Sequence, residues 1–215
     1  MIKIKPFTFN PFMENTYVLF DETKEAVIID PGCYEEEEKN ELVKFIESEG
    51  LNVKMLLNTH GHIDHVLGND FVKNQFSVDL IIGEHDEATL RSVEAYASNY
   101  GFQSYVSAKP DKFLKEGDTV NFGKSSLKVY FTPGHAPGHI VFVNEEQNIC
   151  IGGDVLFEGS IGRTDLPGGD FDTLIQSIHF KLFKFDDNMV VYPGHGGPTT
   201  IRDEKATNPF CAIKK

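Results

Sequence analysis

The chain has 215 residues, of which 40% are hydrophobic and 25% are charged, and this composition is typical of a soluble globular protein rather than of a disordered chain. The formal net charge is -13, and no block of Lys and Arg provides the basic surface that nucleic acids require. We therefore expect no nucleic acid partner.

The N-terminal segment contains Lys3 and Lys5 but lacks the apolar run of about 7 to 15 residues that a secretory signal needs. No other stretch approaches the ~20 consecutive apolar residues of a membrane-spanning helix. These two features predict a cytoplasmic protein that does not associate with membranes.

The first half of the chain combines short strands with one clear helix. The turn signals between the first three strands predict an antiparallel meander. Residues 34–49 place apolar side chains on one helical stripe, and Gly50 follows them as a helix end requires. The strands of this half are predicted at 2–9, 16–20, 26–29 and 53–57.

The second half repeats this combination after a connecting segment, 84–112, which reads as helical at first and then polar. A helix is predicted at 171–183. Two groups of strands with helices outside them predict two sheets packed face to face and covered on both sides, and residues 1–215 are expected to form a single domain. The strands are predicted at 113–122, 127–131, 140–143, 148–151 and 189–192.

The three cysteines, Cys33, Cys150 and Cys211, lie far apart and form no C-x-x-C pair. An odd number without such a pair argues against both a disulfide framework and a cysteine zinc site. We expect free thiols, with Cys150 as a small core residue.

The densest cluster of chemically active side chains follows the strand predicted at 53–57. Residues 59–65 read THGHIDH, which brings His60, His62, Asp64 and His65 within six positions. Imidazole and carboxylate are ligands for a divalent, borderline-soft metal ion. Adjacent residues project in different directions, so one turn cannot close a metal site and further ligands must come from elsewhere.

Three more candidates stand at other predicted strand ends. His135, Asp154 and His195 each follow an apolar run and one or more glycines. Because the neighbouring residues are small, they do not shield such a polar side chain at the edge of a sheet. Any one of them alone reads as a turn residue, but together with the first cluster they indicate a metal site.

In chain order, the pattern H-x-H-x-D-H followed by His, Asp and His resembles the metallo-β-lactamase superfamily. Within it, the likeness is to glyoxalase II-type hydroxyacylglutathione hydrolases, and it runs from Asp30 to the tail. The resemblance implies an α+β fold, a four-layer αβ/βα sandwich, with two divalent metal ions. Zinc is expected, with iron or manganese as the alternatives.

The resemblance also implies a role for each candidate residue. Asp30 would support the site by accepting an imidazole N–H. The first metal would be held by His60, His62 and His135, and the second by Asp64, His65 and His195, with Asp154 bridging them.

The remaining histidines are not expected to be ligands. His139 follows His135 by four residues, but Pro137 and Gly138 make a helix there implausible, so His139 receives a supporting role. His85 lies in a polar stretch and His179 on a predicted helix.

The implied ligand set favours hydrolysis. Five neutral imidazoles and two carboxylates would leave two divalent ions with about two net positive charges, which favours bound hydroxide over water. That hydroxide would attack an acyl carbonyl, with Asp64 and Asp154 as the catalytic carboxylates. A thiolate whose thiol has a pKa of about 8.5 leaves with little acid assistance. The predicted activity is therefore hydrolysis of a small-molecule acyl thioester.

The loop after Asp154 contains one cation, Arg163, which is expected to border the metals. Arg163 either contacts an anionic group of the substrate or bonds only to nearby backbone. In glyoxalase II enzymes the matching loop carries a basic residue and an aromatic one, and here Asp165 stands where the aromatic would be. Only 20 residues follow His195, so the tail resembles the short single-domain branch of the family, without the helical domain that contributes glutathione-binding residues.

Two other functions remain open. Persulfide dioxygenases share the fold and a similar Gly-Arg-Thr-Asp loop, but they use one iron held by two His and one Asp. A non-catalytic module stabilised by metal is the other alternative, although a structural zinc needs only four closed ligands. Metal content and oxygen uptake with a persulfide would distinguish the dioxygenase from the hydrolase.

Overall fold

Two six-stranded β-sheets form the centre of the protein in the computed structural model, which describes residues 1–213. Across the first sheet the strands follow chain order; the first three are antiparallel, as predicted, and the last four are parallel. They are β1 (Lys3–Phe9), β2 (Glu14–Phe20), β3 (Glu25–Ile29), β4 (Asn52–Leu57), β5 (Leu80–Gly83) and β6 (Lys112–Leu114).

The second sheet is built from the second half of the chain, with a two-stranded ribbon beside it. Its strands in chain order are β7 (Thr119–Phe122), β8 (Ser125–Phe131), β9 (Ile140–Asn144), β10 (Ile149–Gly153), β13 (Val190–Pro193) and β14 (Thr199–Thr200), and the ribbon is β11 (Leu156–Phe157) with β12 (Ser160–Ile161). Across the sheet the order is β14-β13-β10-β9-β8-β7, and only the β10–β13 pair is parallel.

Helices cover the outer face of each sheet. Four lie in the first half and two in the second, and short 3₁₀ turns follow the fourth and fifth at Ala97–Tyr100 and Leu182–Lys184. The helices are α1 (Glu36–Glu49), α2 (Ile63–Val66), α3 (Asn69–Phe76), α4 (Glu87–Tyr96), α5 (Phe171–Phe180) and α6 (Ile201–Thr207). Within residues 1–213, none of these helices is long and apolar enough to cross a membrane.

Three apolar clusters make this a four-layer structure. Successive residues of a strand point to opposite faces, so Val18 packs with the helices of the first half while Leu19 packs between the sheets. In the second sheet Phe142 faces the same central layer and Val143 faces α5. The strands β2, β9 and β10 are thus buried on both faces, which explains their continuous apolar runs. The expected αβ/βα sandwich is confirmed.

The helix predicted at 34–49 begins two residues later than expected. The Glu38 carboxylate accepts the backbone N–H of Tyr34 at 2.7 Å and that of Glu35 at 3.0 Å, which closes a capping box at the N-terminus. Gly50 ends the helix with φ 62°, a left-handed conformation that glycine adopts without strain.

The prediction of one strand at 113–122 is wrong. Residues 112–114 form the edge of the first sheet, whereas 119–122 begin the second sheet. Between them the chain turns at Gly117, with φ 85°, and the Lys115 N–H donates to the Asp118 carboxylate at 3.0 Å. The chain therefore passes from the first sheet to the second within residues 113–122. The β-propensity of this stretch suggests one continuous strand, and this is why the prediction failed. The three cysteines are buried and free, as expected.

One edge of the sandwich collects the candidate residues. The parallel strands β3, β4 and β5 all end there, and Asp30 and His60 follow the first two. From the second sheet, β10 and β13 run parallel to each other; Asp154 directly follows β10, and His195 lies shortly after β13. Loops at the carboxyl ends of parallel strands are the usual place for a site in such a fold.

Candidate metal centre

Three histidines from the two sheets meet at this edge and are called the first group: His60, His62 and His135. One ring nitrogen from each lies within 4.8 Å of those of the others. The closest pair is His62 Nδ1 and His135 Nε2, at 2.8 Å. His60 and His62 follow β4 while His135 follows β8, so this group exists only because the two sheets pack together.

Neighbouring oxygens orient the rings of the first group. His135 Nδ1 lies 2.7 Å from the backbone carbonyl oxygen of Arg163, to which it donates, and this leaves Nε2 pointing into the group. His60 Nδ1 lies 3.0 Å from the Thr59 hydroxyl. Its other nitrogen, Nε2, is buried and has no hydrogen-bond partner within the described residues.

The second group consists of Asp64, His65 and His195, whose ligand atoms also lie within 4.8 Å of one another. His195 Nε2 is 3.0 Å from Asp64 Oδ2, and its Nδ1 is 3.1 Å from the backbone oxygen of Phe12 in the β1–β2 turn. His65 is completely buried, and its Nε2 is a second nitrogen without a partner in the part of the chain that is described.

Asp154 lies between the two groups. One carboxylate oxygen is 3.4 Å from His65 Nε2, and the other is 3.6 Å from His135 Nε2 and 3.5 Å from His195 Nε2. Its Oδ1 is buried and has no hydrogen-bond partner among residues 1–213. The carboxylate is therefore placed to reach both groups at once.

The two groups differ in electrostatics. Burial, together with the neighbouring imidazoles, lowers the pKa of His60 well below its ordinary value and lowers the pKa of His62 to about 3. In the second group burial also opposes the charged form, but hydrogen bonds to Asp154 and Asp64 outweigh it and raise the pKa of His195 to about 10. His60 and His62 thus offer neutral imidazoles, whereas at His195 a proton and a metal cation compete for the same nitrogen.

Asp30 supports both groups through hydrogen bonds. Its carboxylate accepts the Thr59 backbone N–H at 2.7 Å and the Thr59 hydroxyl at 2.6 Å, and it lies 3.2 Å from His65 Nδ1. Asp30 also forms a possible ligand group with His60 and His65. Because its oxygens already accept these bonds, the geometry favours the orienting role that the sequence suggested.

His139 contacts the site through Asp154. Its Nε2 accepts the backbone N–H of Asp154 at 3.0 Å, and its Nδ1 lies 3.1 Å from the Thr132 hydroxyl. Both ring nitrogens are therefore engaged, and the ring stacks on His60 with centroids 4.8 Å apart. His139 is in none of the possible ligand groups found within residues 1–213.

Arg163 borders the site in an unexpected way. Its guanidinium bonds both carboxylate oxygens of Asp165, at 2.7 and 2.9 Å, and both side chains are exposed. This bond lowers the pKa of Asp165 to about 2. The cation is thus already paired with a neighbouring side chain, and the atom of Arg163 that contacts a candidate ligand is its backbone oxygen.

The two remaining histidines lie away from both groups. His85 is exposed and packs against the Phe131 ring at 5.4 Å. His179 Nε2 is 2.7 Å from the backbone oxygen of Cys211, so it ties α5 to the C-terminal segment.

Sequence reasoning missed two buried carboxylates beside the centre. Glu14 lies 3.9 Å from His65 Nδ1, is fully buried, and has its pKa raised by that burial. Asp86 bonds to the loops that carry the first group. Nothing in the local sequence marks Glu14, which belongs to a buried strand. Asp86 could have been found, because it follows the buried strand β5 at the same edge of the sheet.

Members of both groups line a cavity of about 1180 Å³ together with Asp154: His62 and His135 of the first group, and Asp64 and His195 of the second. Aromatic side chains form much of its wall, including Phe12, Tyr96, Tyr100 and Phe157. A cavity of this size, apolar with a few convergent polar groups, is typical of a site for a small molecule.

The donor atoms fit metal ions. Imidazole nitrogens and carboxylate oxygens are ligands for zinc and similar divalent ions. The buried atoms without partners, His60 Nε2, His65 Nε2 and Asp154 Oδ1, would be costly to leave unsatisfied, and a cation would satisfy all three. The residues present therefore fit the metals that the resemblance implies.

The chain belongs to the metallo-β-lactamase superfamily, because residues 9–195 match the family model of the "Metallo-beta-lactamase superfamily". It is 40% identical to the hydroxyacylglutathione hydrolase GloC of Haemophilus influenzae over 215 residues, covering 99% of each protein. The sequence-based family assignment is thereby confirmed.

Two crystal structures are similar over almost the whole chain. BLEG-1 B3 metallo-β-lactamase has a TM-score of 0.85 and 34% identity, covering 98% of this chain and 100% of that one. TTHA1623 in a di-iron-bound form also has a TM-score of 0.85, with 33% identity, covering 96% of this chain and 99% of that one.

Proposed function

We propose that this protein is a dinuclear metal-dependent hydrolase that cleaves an acyl thioester. The observation that carries the proposal is the set of buried, unpartnered atoms on His60, His65 and Asp154, which lie beside one another, and Asp154 also lines the cavity. The first group would hold one ion, the second group the other, and Asp154 would contact both.

When bound, the two ions would supply the positive charge that makes a water molecule nucleophilic near neutral pH and that polarises a carbonyl oxygen. The chain's own residues set the conditions for this chemistry. Asp30 and the backbone oxygens of Phe12 and Arg163 hold three of the imidazoles in one orientation. The aromatic wall of the cavity excludes water from one side of the substrate.

The thioester is favoured over an amide because the leaving thiolate needs no proton from the enzyme. A thiol with a pKa of about 8.5 is a good leaving group at neutral pH. His85, at 59% side-chain exposure, belongs to neither group within the described residues, so it is not placed to protonate a leaving group beside the metals.

Likeness to GloC supports the choice of a thioester. The name of that relative specifies a glutathione thioester, and the two chains cover 99% of each other. The two proteins therefore have nearly the same length.

The test is a metal analysis combined with a substrate panel. We expect close to two transition-metal ions per chain and hydrolysis of S-lactoylglutathione or of thioesters on other thiol carriers. His135→Ala should abolish the activity and release metal, whereas the matched control His85→Ala should retain both. One iron per chain with oxygen uptake on a persulfide would instead identify a dioxygenase, and hydrolysis of β-lactams without any thioester would also contradict the proposal.

A further inference from the structure

Asp86 is a buried carboxylate that belongs to none of the possible ligand groups found in the described part of the chain, but it bonds to the backbone of the metal centre. It stands just after β5, directly before α4 begins. One carboxylate oxygen accepts the backbone N–H of Gly61. The other accepts the backbone N–H of Gly138 at 3.0 Å and the Thr89 hydroxyl at 2.9 Å.

The two glycines belong to the loops that carry the first group. Gly61 lies between His60 and His62, and Gly138 follows His135 by three residues. The first loop follows β4 of the first sheet and the second follows β8 of the second sheet. One carboxylate therefore joins the two sheets through the loops whose imidazoles must converge.

Both loops pack closely against Asp86 and α4. A Cβ atom on Gly61 would lie 2.6 Å from the backbone nitrogen of Leu90 in α4. A Cβ atom on Gly138 would lie 2.2 Å from the backbone nitrogen of Asp86 itself. Only glycine at these two positions lets the loops come close enough to bond the carboxylate.

We propose that Asp86 is a positioning residue that sets the distance between the two loops of the first group before a metal binds. Among residues 1–213 its carboxylate forms hydrogen bonds with the backbone of the two loops and with the Thr89 hydroxyl, and none with an imidazole, whereas Asp30 lies 3.2 Å from His65 Nδ1. Ordering flexible ligands at the moment of binding would weaken metal affinity, and a preformed spacing avoids that loss. The inference rests on the proposed role of His60, His62 and His135 as ligands.

The test is Asp86→Asn, which preserves the size of the side chain but replaces one accepting oxygen with an NH₂ group. One of the two loops then loses its acceptor. The matched control is Asp21→Asn, since Asp21 is also a buried carboxylate that accepts backbone N–H groups, from Thr23 and Lys124. Asp21 contacts Ser125 at the start of β8, the end of that strand remote from His135.

Zinc affinity is measured by competition with a chelator, and the geometry of each group is followed by the visible spectrum of the cobalt(II) form. His135→Ala and His195→Ala provide reference spectra for the loss of each group. We expect Asp86→Asn to weaken the first-group metal by about 10- to 100-fold, as the loss of a supporting contact commonly does, and to alter the first-group spectrum. In Asp86→Asn, the metal affinity of the second group should stay within about threefold of wild type. In Asp21→Asn, the metal affinities of both groups should stay within the same range.

Wild-type affinity and an unchanged cobalt spectrum in Asp86→Asn would overturn the inference. If that variant does not fold, amide hydrogen exchange in the metal-free wild-type protein decides the question. The Gly61 and Gly138 amides should be as protected as the strands of the core, and exchange at the rate of an unstructured peptide would refute the preformed spacing. A wild-type protein that binds no metal at the first group would instead contradict the proposed function.

Discussion

Asp21 connects the two sheets, and its replacement by Asn should lower the free energy of unfolding in a pH-dependent way. Asp21 directly follows β2, and its carboxylate accepts four hydrogen bonds, two from Thr23, one from the Lys124 backbone and one from the Ser125 hydroxyl. Burial alone would raise the pKa of Asp21, but these bonds outweigh it and lower the pKa from 3.8 to about 2.

The size of the effect follows from this shift. At about 1.36 kcal/mol per pKa unit, the change from 3.8 to about 2 corresponds to about 2.4 kcal/mol. The neighbours Glu22, Thr23 and Lys24 are exposed, so solvent screens the carboxylate and we expect about 1.5 to 2 kcal/mol. Because the folded-state pKa is lowered, this stability is present above the unfolded value and is lost as the pH falls through about 2.

The assay is urea unfolding of metal-free wild type and Asp21→Asn, followed by circular dichroism from about pH 6 to about pH 2.5. The difference in free energy between the two proteins should fall to about a third of its value over this range, since the Asp21 carboxyl group of the unfolded wild-type chain binds a proton while that of the folded protein stays mostly ionised. A difference that stays constant with pH would refute the argument, because it would show that the Asn side chain acts through packing rather than through lost charge.

Three further predictions concern the site. Asp154→Ala should empty or scramble both metal sites together, and retention of two metals at wild-type affinity would contradict its bridging position. His179→Ala should leave the metal content unchanged while lowering the free energy of unfolding by about 1 kcal/mol, as expected for one lost hydrogen bond to Cys211; loss of a metal would show that a ligand was missed. Asp165→Asn should free the Arg163 guanidinium and raise kcat/KM for an anionic thioester by about tenfold, with little change for a neutral thioester. Equal effects on the two substrates would show that the Arg163–Asp165 pair only stabilises the loop.

Most of the fold could be predicted from the sequence because its elements are local. Strands buried on both faces leave apolar runs, and Gly50 marks the end of α1 through its own backbone conformation. The strand prediction at 113–122 was wrong because the pairing of strands is not local. Which sheet a strand joins depends on pairing with distant residues, and the pairing of Ile82 with Phe113 leaves no mark in the local sequence.

The sequence by itself determined the chemistry of the candidate site. Three imidazoles and a carboxylate within six positions, with His135, Asp154 and His195 at later strand ends, indicate a metal centre whatever the exact fold. Residue type and spacing carry that information because ligand chemistry belongs to the side chains themselves.

Only the tertiary structure decided which groups support those side chains. The Asp165 carboxylate that pairs with Arg163 was read from the sequence as a replaced aromatic position, and its bond became visible only in the folded loop. Asp86 holds loops from two different sheets, and Glu14 faces His65 from a buried strand. Such contacts join residues far apart in the chain, and their geometry is set by how the two sheets and their loops pack rather than by any local pattern.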